Sequence, residues 1–147
     1  MPKSCRVNVA VDVSGRVEDW GKRCFIGICI DDEKLRVLVN RELKLYVRAF
    51  LLKRKLSNVK AALVLLISIV LHVLKTRGVY KCTICFDREF AGYDEFVIKE
   101  TLDRARRLEV RVLNVEVKSL GRRSKAHLAS RKGKGLYVKK EEVLKIL

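Results

Sequence analysis

The chain has 147 residues, with 33 Lys and Arg against 17 Asp and Glu, for a net charge of +16. That length fits one domain whose core needs no disulfide or metal staples, and 49% hydrophobic residues with eight Gly and one Pro exclude disordered, collagen-like and low-complexity classes. The most apolar run, residues 61–74, is shorter than a membrane span and contains Ser68 and His72, and residues 1–6 lack an apolar stretch before a cleavage site, so a cytoplasmic chain is expected.

Residues 5–13 predict a first strand, with Val7, Val9, Val11 and Val13 alternating against Arg6, Asn8, Ala10 and Asp12. Residues 23–30 and 35–39 predict two more, joined by the turn Asp31-Asp32-Glu33. The three form an antiparallel meander. The period then changes. Leu43, Tyr46, Val47, Phe50 and Leu51 fall at helical spacing, and Ser57 caps a second helix running to Thr76, apolar nearly all round and therefore buried. Gly78 stops it. A fourth strand is expected over 79–86, an amphipathic helix over 93–108 and a fifth strand over 111–117. A short helix over 124–130 precedes a mobile loop, Arg131-Lys132-Gly133-Lys134-Gly135. A short strand over 136–138 and a helix over 141–147 close the chain. Strands that first form a meander and then alternate with helices predict an α/β fold with a mixed sheet.

The charge is concentrated. Residues 117–140 hold nine basic side chains and no acid. A basic excess speaks to partners, and nucleic acid leads because neutralising its phosphates releases counterions. Arg122, Arg123, Lys125, Arg131, Lys132 and Lys134 are the candidate nucleic-acid contacts, with the backbone and not the bases as their target. The competing explanation is a charged hyperthermophile surface, to which the absence of Gln, the four Asn and the single Met also point. Thermophile surfaces mix both signs, whereas here positives outnumber negatives about two to one.

Two acids stand at strand ends. Asp12 lies in Val9-Ala10-Val11-Asp12-Val13-Ser14-Gly15, and Asp87 ends Cys82-Thr83-Ile84-Cys85-Phe86-Asp87, with Glu89 just beyond. Strands are depleted in Asp. If the two strands pair, the carboxylates repel unless a divalent cation lies between them. The alternatives are local: Asp12 would bind the Ser14-Gly15-Arg16 turn, and Asp87 would cap the loop 88–93.

This order of elements, with these acids, resembles the ribonuclease H-like superfamily. The opening Val11-Asp12-Val13-Ser14-Gly15-Arg16 is similar to that of archaeal proteins thought to share its fold. The resemblance spans most of residues 5–130. It implies a divalent-metal-dependent nuclease, with Mg²⁺ or Mn²⁺ held by Asp12, Asp87, Glu89 and Glu42. Glu42 is the only acid between Arg41 and Thr76, so it is the candidate for the helix acid that the family uses; Asp94 or Glu95 would be its substitutes. His127 would complete the catalytic set with Asp12 and Asp87. Two other functions use the same charge: a non-catalytic nucleic-acid-binding module, and a basic subunit of a larger complex.

The five Cys do not define a site. Cys82 and Cys85 have zinc-like spacing but lie on a strand, where positions three apart face opposite ways. Buried thiols are expected, with a strand-to-strand disulfide as the alternative in a hyperthermophile chain. His72 is read as a core residue, and Trp20 as a plug at the sheet end in preference to a base-stacking ring.

Overall fold

Alternating Val, Ile and Leu positions build one six-stranded mixed sheet. The computed structural model describes residues 6–147; Cys5, the expected first residue of the opening strand, lies outside them. The strands are β1 (Val7–Ser14), β2 (Cys24–Ile30), β3 (Glu33–Val39), β4 (Lys81–Asp87), β5 (Arg111–Lys118) and β6 (Lys134–Leu136), in the order β5-β4-β1-β2-β3-β6. β1 to β3 form the antiparallel meander, while β4 lies parallel to β1, β5 parallel to β4 and β6 parallel to β3. The β2–β3 turn is tighter than expected. Ile30 pairs with Glu33 and Asp31 takes a positive φ of 52°, so Asp31 and Asp32 alone make a two-residue hairpin turn.

The helices are α1 (Arg41–Leu52), α2 (Asn58–Thr76), α3 (Asp94–Arg107), α4 (Lys125–Lys132) and α5 (Lys140–Leu144). Side-chain oxygens start three of them: Asn40 accepts from the Leu43 N–H, Ser57 from Lys60 and Ser124 from His127. α2 is long and apolar enough to cross a membrane, yet 72% of its apolar window is buried within the protein. It packs with the face of the sheet that carries Val9, Val11, Ile26, Ile28, Val37, Ile84 and Phe86. Its one buried hydroxyl, on Ser68, donates to the Val64 carbonyl at 2.7 Å. His72 is half-buried and meets Glu142 of α5 at 2.6 Å, so it ties α5 to the core helix.

Side chains alternate between faces along a strand, so Ala10, Asp12, Gly27, Cys29, Arg36, Cys85 and Asp87 point to the opposite face. Among the described residues only α4 covers this side, and it lies on β1, β2 and β3. Its seat is Gly27: a Cβ there would lie 2.2 Å from the Ser130 backbone nitrogen and 2.5 Å from the Ala126 carbonyl oxygen. No helix among the described residues covers the β4–β5 half of the face.

The basic loop expected over 131–135 is not a loop. Arg131 and Lys132 are the last turn of α4, Gly133 is its C-cap, and Lys134 to Leu136 form β6, two residues earlier than expected. The two glycines mimic a loop signal, but Gly133 serves close packing and Gly135 lies within the strand. A Cβ on Gly133 would come within 2.8 Å of the Leu35 carbonyl carbon, and Gly135 pairs with Arg36.

Lys44 on α1 is fully buried. Its ammonium donates to the carbonyls of Arg16, Asp19 and Lys22 at 2.9, 2.8 and 2.6 Å, closing the loop between β1 and β2. Trp20 in the same loop is 6% exposed and its indole N–H donates to Asn58, so it plugs the sheet end. Lys44→Met should take a donor from three carbonyls of this loop: Arg16 and Asp19 keep the backbone N–H groups of Asp19 and Lys22, and the Lys22 carbonyl loses its ammonium partner. The expected loss is about 2–4 kcal/mol, read by urea denaturation.

Candidate metal centre

Parallel pairing of β1 and β4 sets Val11 against Phe86, so the next residues, Asp12 and Asp87, leave the sheet side by side. Neighbouring strands lie about 4.8 Å apart, close enough for two carboxylates to repel unless a counter-charge lies between them. Glu89, two residues past the end of β4, completes the set: a carboxylate oxygen from each of Asp12, Asp87 and Glu89 lies within 4.8 Å of the others. This partly buried acidic cluster can hold a metal ion, and its all-oxygen chemistry suits a hard divalent cation.

Two of the acids are held by groups outside the cluster. Asp12 is 6% exposed; its Oδ1 accepts from the Val13 N–H at 2.8 Å and its Oδ2 meets His127 Nδ1 at 2.9 Å. Asp87 Oδ1 accepts from the Leu120 N–H at 2.8 Å. Neither local alternative describes these acids: Asp12 binds its neighbour's N–H and a helix residue 115 positions away, and Asp87 binds the connection after β5. Burial raises the Asp12 pKa while the His127 contact opposes the rise. Burial pushes Glu89 up to about 8, helped by the charges of Asp87, Asp12 and Glu18. A cation in the cluster would reverse both trends.

His127 reaches Asp12 because α4 begins over β1, with Ser124 fixing its first turn. Asp12 occupies Nδ1, and Nε2 has no hydrogen-bond partner among the described residues. The imidazole therefore offers one nitrogen for proton transfer.

The remaining candidates fall elsewhere. Glu42 is exposed in the first turn of α1 and is not in the cluster, because the β3–α1 junction puts it beside Asn40 and Lys140, across two strands from β4. Asp94 is taken by Arg88 at 2.9 Å, and the same guanidinium donates to the Val117 carbonyl, so this pair ties the β4–α3 connection to β5. Glu95 is exposed.

The basic residues divide into two groups. Arg122 and Arg123 are exposed in the connection 119–124, which is tied to Asp87 through Leu120 at one end and to His127 through Ser124 at the other. Arg131, Lys132 and Lys134 are exposed near β3 and β6. Lys125 is exposed, but its ammonium meets Asp32 at 2.6 Å.

Several residues of this face were not signalled by the sequence. Glu18 adds charge to the cluster from the β1–β2 loop. The Arg36 guanidinium stacks 3.5 Å from the centre of the Phe25 ring and donates to the Ser130 carbonyl, bracing α4. Nothing in their spacing marks them, because their partners are far away in the chain. Cys24, Cys29, Cys82 and Cys85 are free thiols; Cys82 is buried in the core, whereas Cys85 faces the other side of the sheet, so the pair makes no zinc knuckle.

Comparison with protein-family models, with curated proteins and with solved structures returns no match.

Proposed function

We propose that the chain is a ribonuclease H-like, divalent-metal-dependent hydrolase of nucleic-acid phosphodiesters, using Mg²⁺ or Mn²⁺. The observation that carries this reading is the convergence of Asp12, Asp87 and Glu89 within 4.8 Å at the ends of two adjacent parallel strands. The meander followed by parallel strands supports the same reading. When bound, a divalent cation there supplies Lewis-acid activation of water and charge neutralisation at a phosphate.

The chain's own groups have distinct tasks. The Leu120 N–H fixes one oxygen of Asp87 and leaves the other for the centre, while Asp12 is held at Oδ1 by the Val13 N–H and at Oδ2 by His127. His127 steadies Asp12 and keeps Nε2 to hand a proton to the leaving oxygen. Arg122 and Arg123 hold the backbone beside the centre. Arg131, Lys132 and Lys134 hold it across β2 and β3, about 10–15 Å away at the usual strand spacing.

A second reading is a nucleic-acid-binding module without turnover, used alone or as a basic subunit of a larger complex. Its support is that Glu42 stays outside the cluster. One experiment separates the two. Cleavage of single- and double-stranded DNA and RNA in Mn²⁺ is measured for wild type and Asp12→Asn, with binding measured across a salt series. The hydrolase reading expects cleavage that falls about 10³-fold in Asp12→Asn, with binding retained. Salt-dependent binding with no cleavage by the wild type supports the module. No binding at low salt overturns both.

A further inference from the structure

The open half of the acid-bearing face holds a cavity of about 640 Å³, large enough for a nucleoside. It lies over β5, β4 and β1, next to α4 and short of the acid cluster. Its floor is Ala10, with Cys85 opposite it in register on β4. Its walls carry neutral hydrogen-bonding side chains: Asn8 on β1, Thr83 on β4 and Asn114 on β5.

We propose that this cavity binds the nucleobase of the nucleotide whose phosphate sits at the acid cluster. The inference rests on the hydrolase reading for the position of that phosphate. Three features select a base.

The first is register. Ala10 and Cys85 each stand two residues before an acid, Asp12 and Asp87, on the same face. Two residues of strand span about 7 Å, the reach from a base to its own phosphate.

The second is the hydrogen-bonding inventory. The Thr83 hydroxyl donates to Asn8 Oδ1 at 2.9 Å, which leaves the Asn8 amide N–H groups to donate. Asn114 Nδ2 donates to Glu116 at 3.3 Å, which leaves the Asn114 carbonyl oxygen to accept. Paired amide donors and acceptors on a small-residue floor match the edge of a flat heterocycle.

The third is charge. Asp31, Asp32 and Glu116 rim the cavity, and the one lysine among its lining residues, Lys125, is engaged by Asp32. Glu116 in turn meets Lys118 at 3.5 Å, so Asp31 is the rim acid without a cation against it among the described residues, and on a protein of net charge +16 the groove carries no excess of positive charge. It does not attract phosphate, and it accepts the amino and ring N–H donors of a base. The chain would thus grip a nucleotide by two unlike ends, with the phosphate at the cation and the base in an acid-rimmed groove.

The test titrates the metal-free protein with the four ribonucleosides and their deoxy forms, and separately with inorganic phosphate, following backbone amide shifts by NMR. Two variants accompany it: Ala10→Leu, which fills the floor, and Asn114→Ala, on the exposed edge strand, which removes an amide without touching the core. Nucleosides should shift Asn8, Thr83, Cys85 and Asn114, and phosphate should not. Affinity should fall about tenfold or more in Ala10→Leu and severalfold in Asn114→Ala. Shifts absent from these residues, equal shifts with phosphate, or affinity unchanged in both variants would overturn the proposal. Asp12-dependent cleavage with no nucleoside binding would sink the base pocket and leave the hydrolase standing. Nucleoside binding without any cleavage would do the reverse.

Discussion

Replacing Glu89 with Gln should flatten the pH dependence of the metal-free protein's stability and abolish the stabilisation that Mn²⁺ gives the wild type. Glu89 starts from an ordinary value of 4.5 and is pushed up to about 8 in the folded chain. The folded state therefore holds a proton that the unfolded state has already released over that range. Stability is full below about 4.5 and is lost as pH rises through about 8. Asp12, also raised by burial, adds in the same direction. Between pH 5 and pH 9 this one carboxyl accounts for about 4 kcal/mol of falling stability, which should vanish in Glu89→Gln. A cation displaces the proton, so Mn²⁺ should raise the wild-type Tm more at pH 8.5 than at pH 6. The Gln variant should show neither effect. Urea unfolding across the pH range and thermal melts with and without Mn²⁺ make the comparison. Identical profiles for the two proteins would show that the carboxylates do not share a site.

Gly27→Ala should be the most damaging single methyl group in the sheet. Asp12 pairs with Gly27 in the β1–β2 register, and α4 lies directly on that glycine. The new Cβ would meet the Ser130 nitrogen at 2.2 Å and the Ala126 oxygen at 2.5 Å, both backbone atoms that no rotamer change can move. Either α4 lifts or the sheet bends. Overpacking of this kind costs about 3 kcal/mol or more, a fall in Tm of about 6–12 °C for a chain of this size. Lifting α4 also withdraws His127 from Asp12, so metal affinity should fall even where the variant stays folded. A substitution tolerated within about 0.5 kcal/mol would contradict the packing of α4 on this face.

The sequence carried the local information well. The Val alternation around Asp12, the Ser57 cap and the apolar run of α2 are short-range patterns, and patterns of this kind placed all six strands and every helix to within a few residues. Asp12 was legible because an apolar-flanked Asp on a strand violates strand propensity, whereas Asp87 and Glu89 were named from the resemblance. His127 was named from the resemblance, and the chain brings it to Asp12 across 115 residues. Glu42 falls outside the cluster because an acid early in a helix carries no signal about how far across the sheet that helix starts: β3 ends on the same side as β1 and β4, but β1 and β2 lie between it and β4. The Gly-rich basic stretch read as a loop because β6 is held by backbone pairing to Leu35, Arg36 and Val37, about a hundred residues earlier in the chain, which leaves no mark on periodicity. Lys44 and Gly27 were silent for the same reason. Each is defined by backbone atoms of distant segments, not by neighbours in the chain.

The account stands most directly on where a divalent cation binds. Substoichiometric Mn²⁺ added to the isotope-labelled protein should broaden first the amide signals of Val13 and Leu120 and the ring signals of His127, the groups that touch Asp12 and Asp87. The same additions to Asp87→Asn should leave those signals sharp. Broadening that centres on Asp31, Asp32 and Glu116, or that is unchanged in Asp87→Asn, would contradict a metal centre at the ends of β1 and β4.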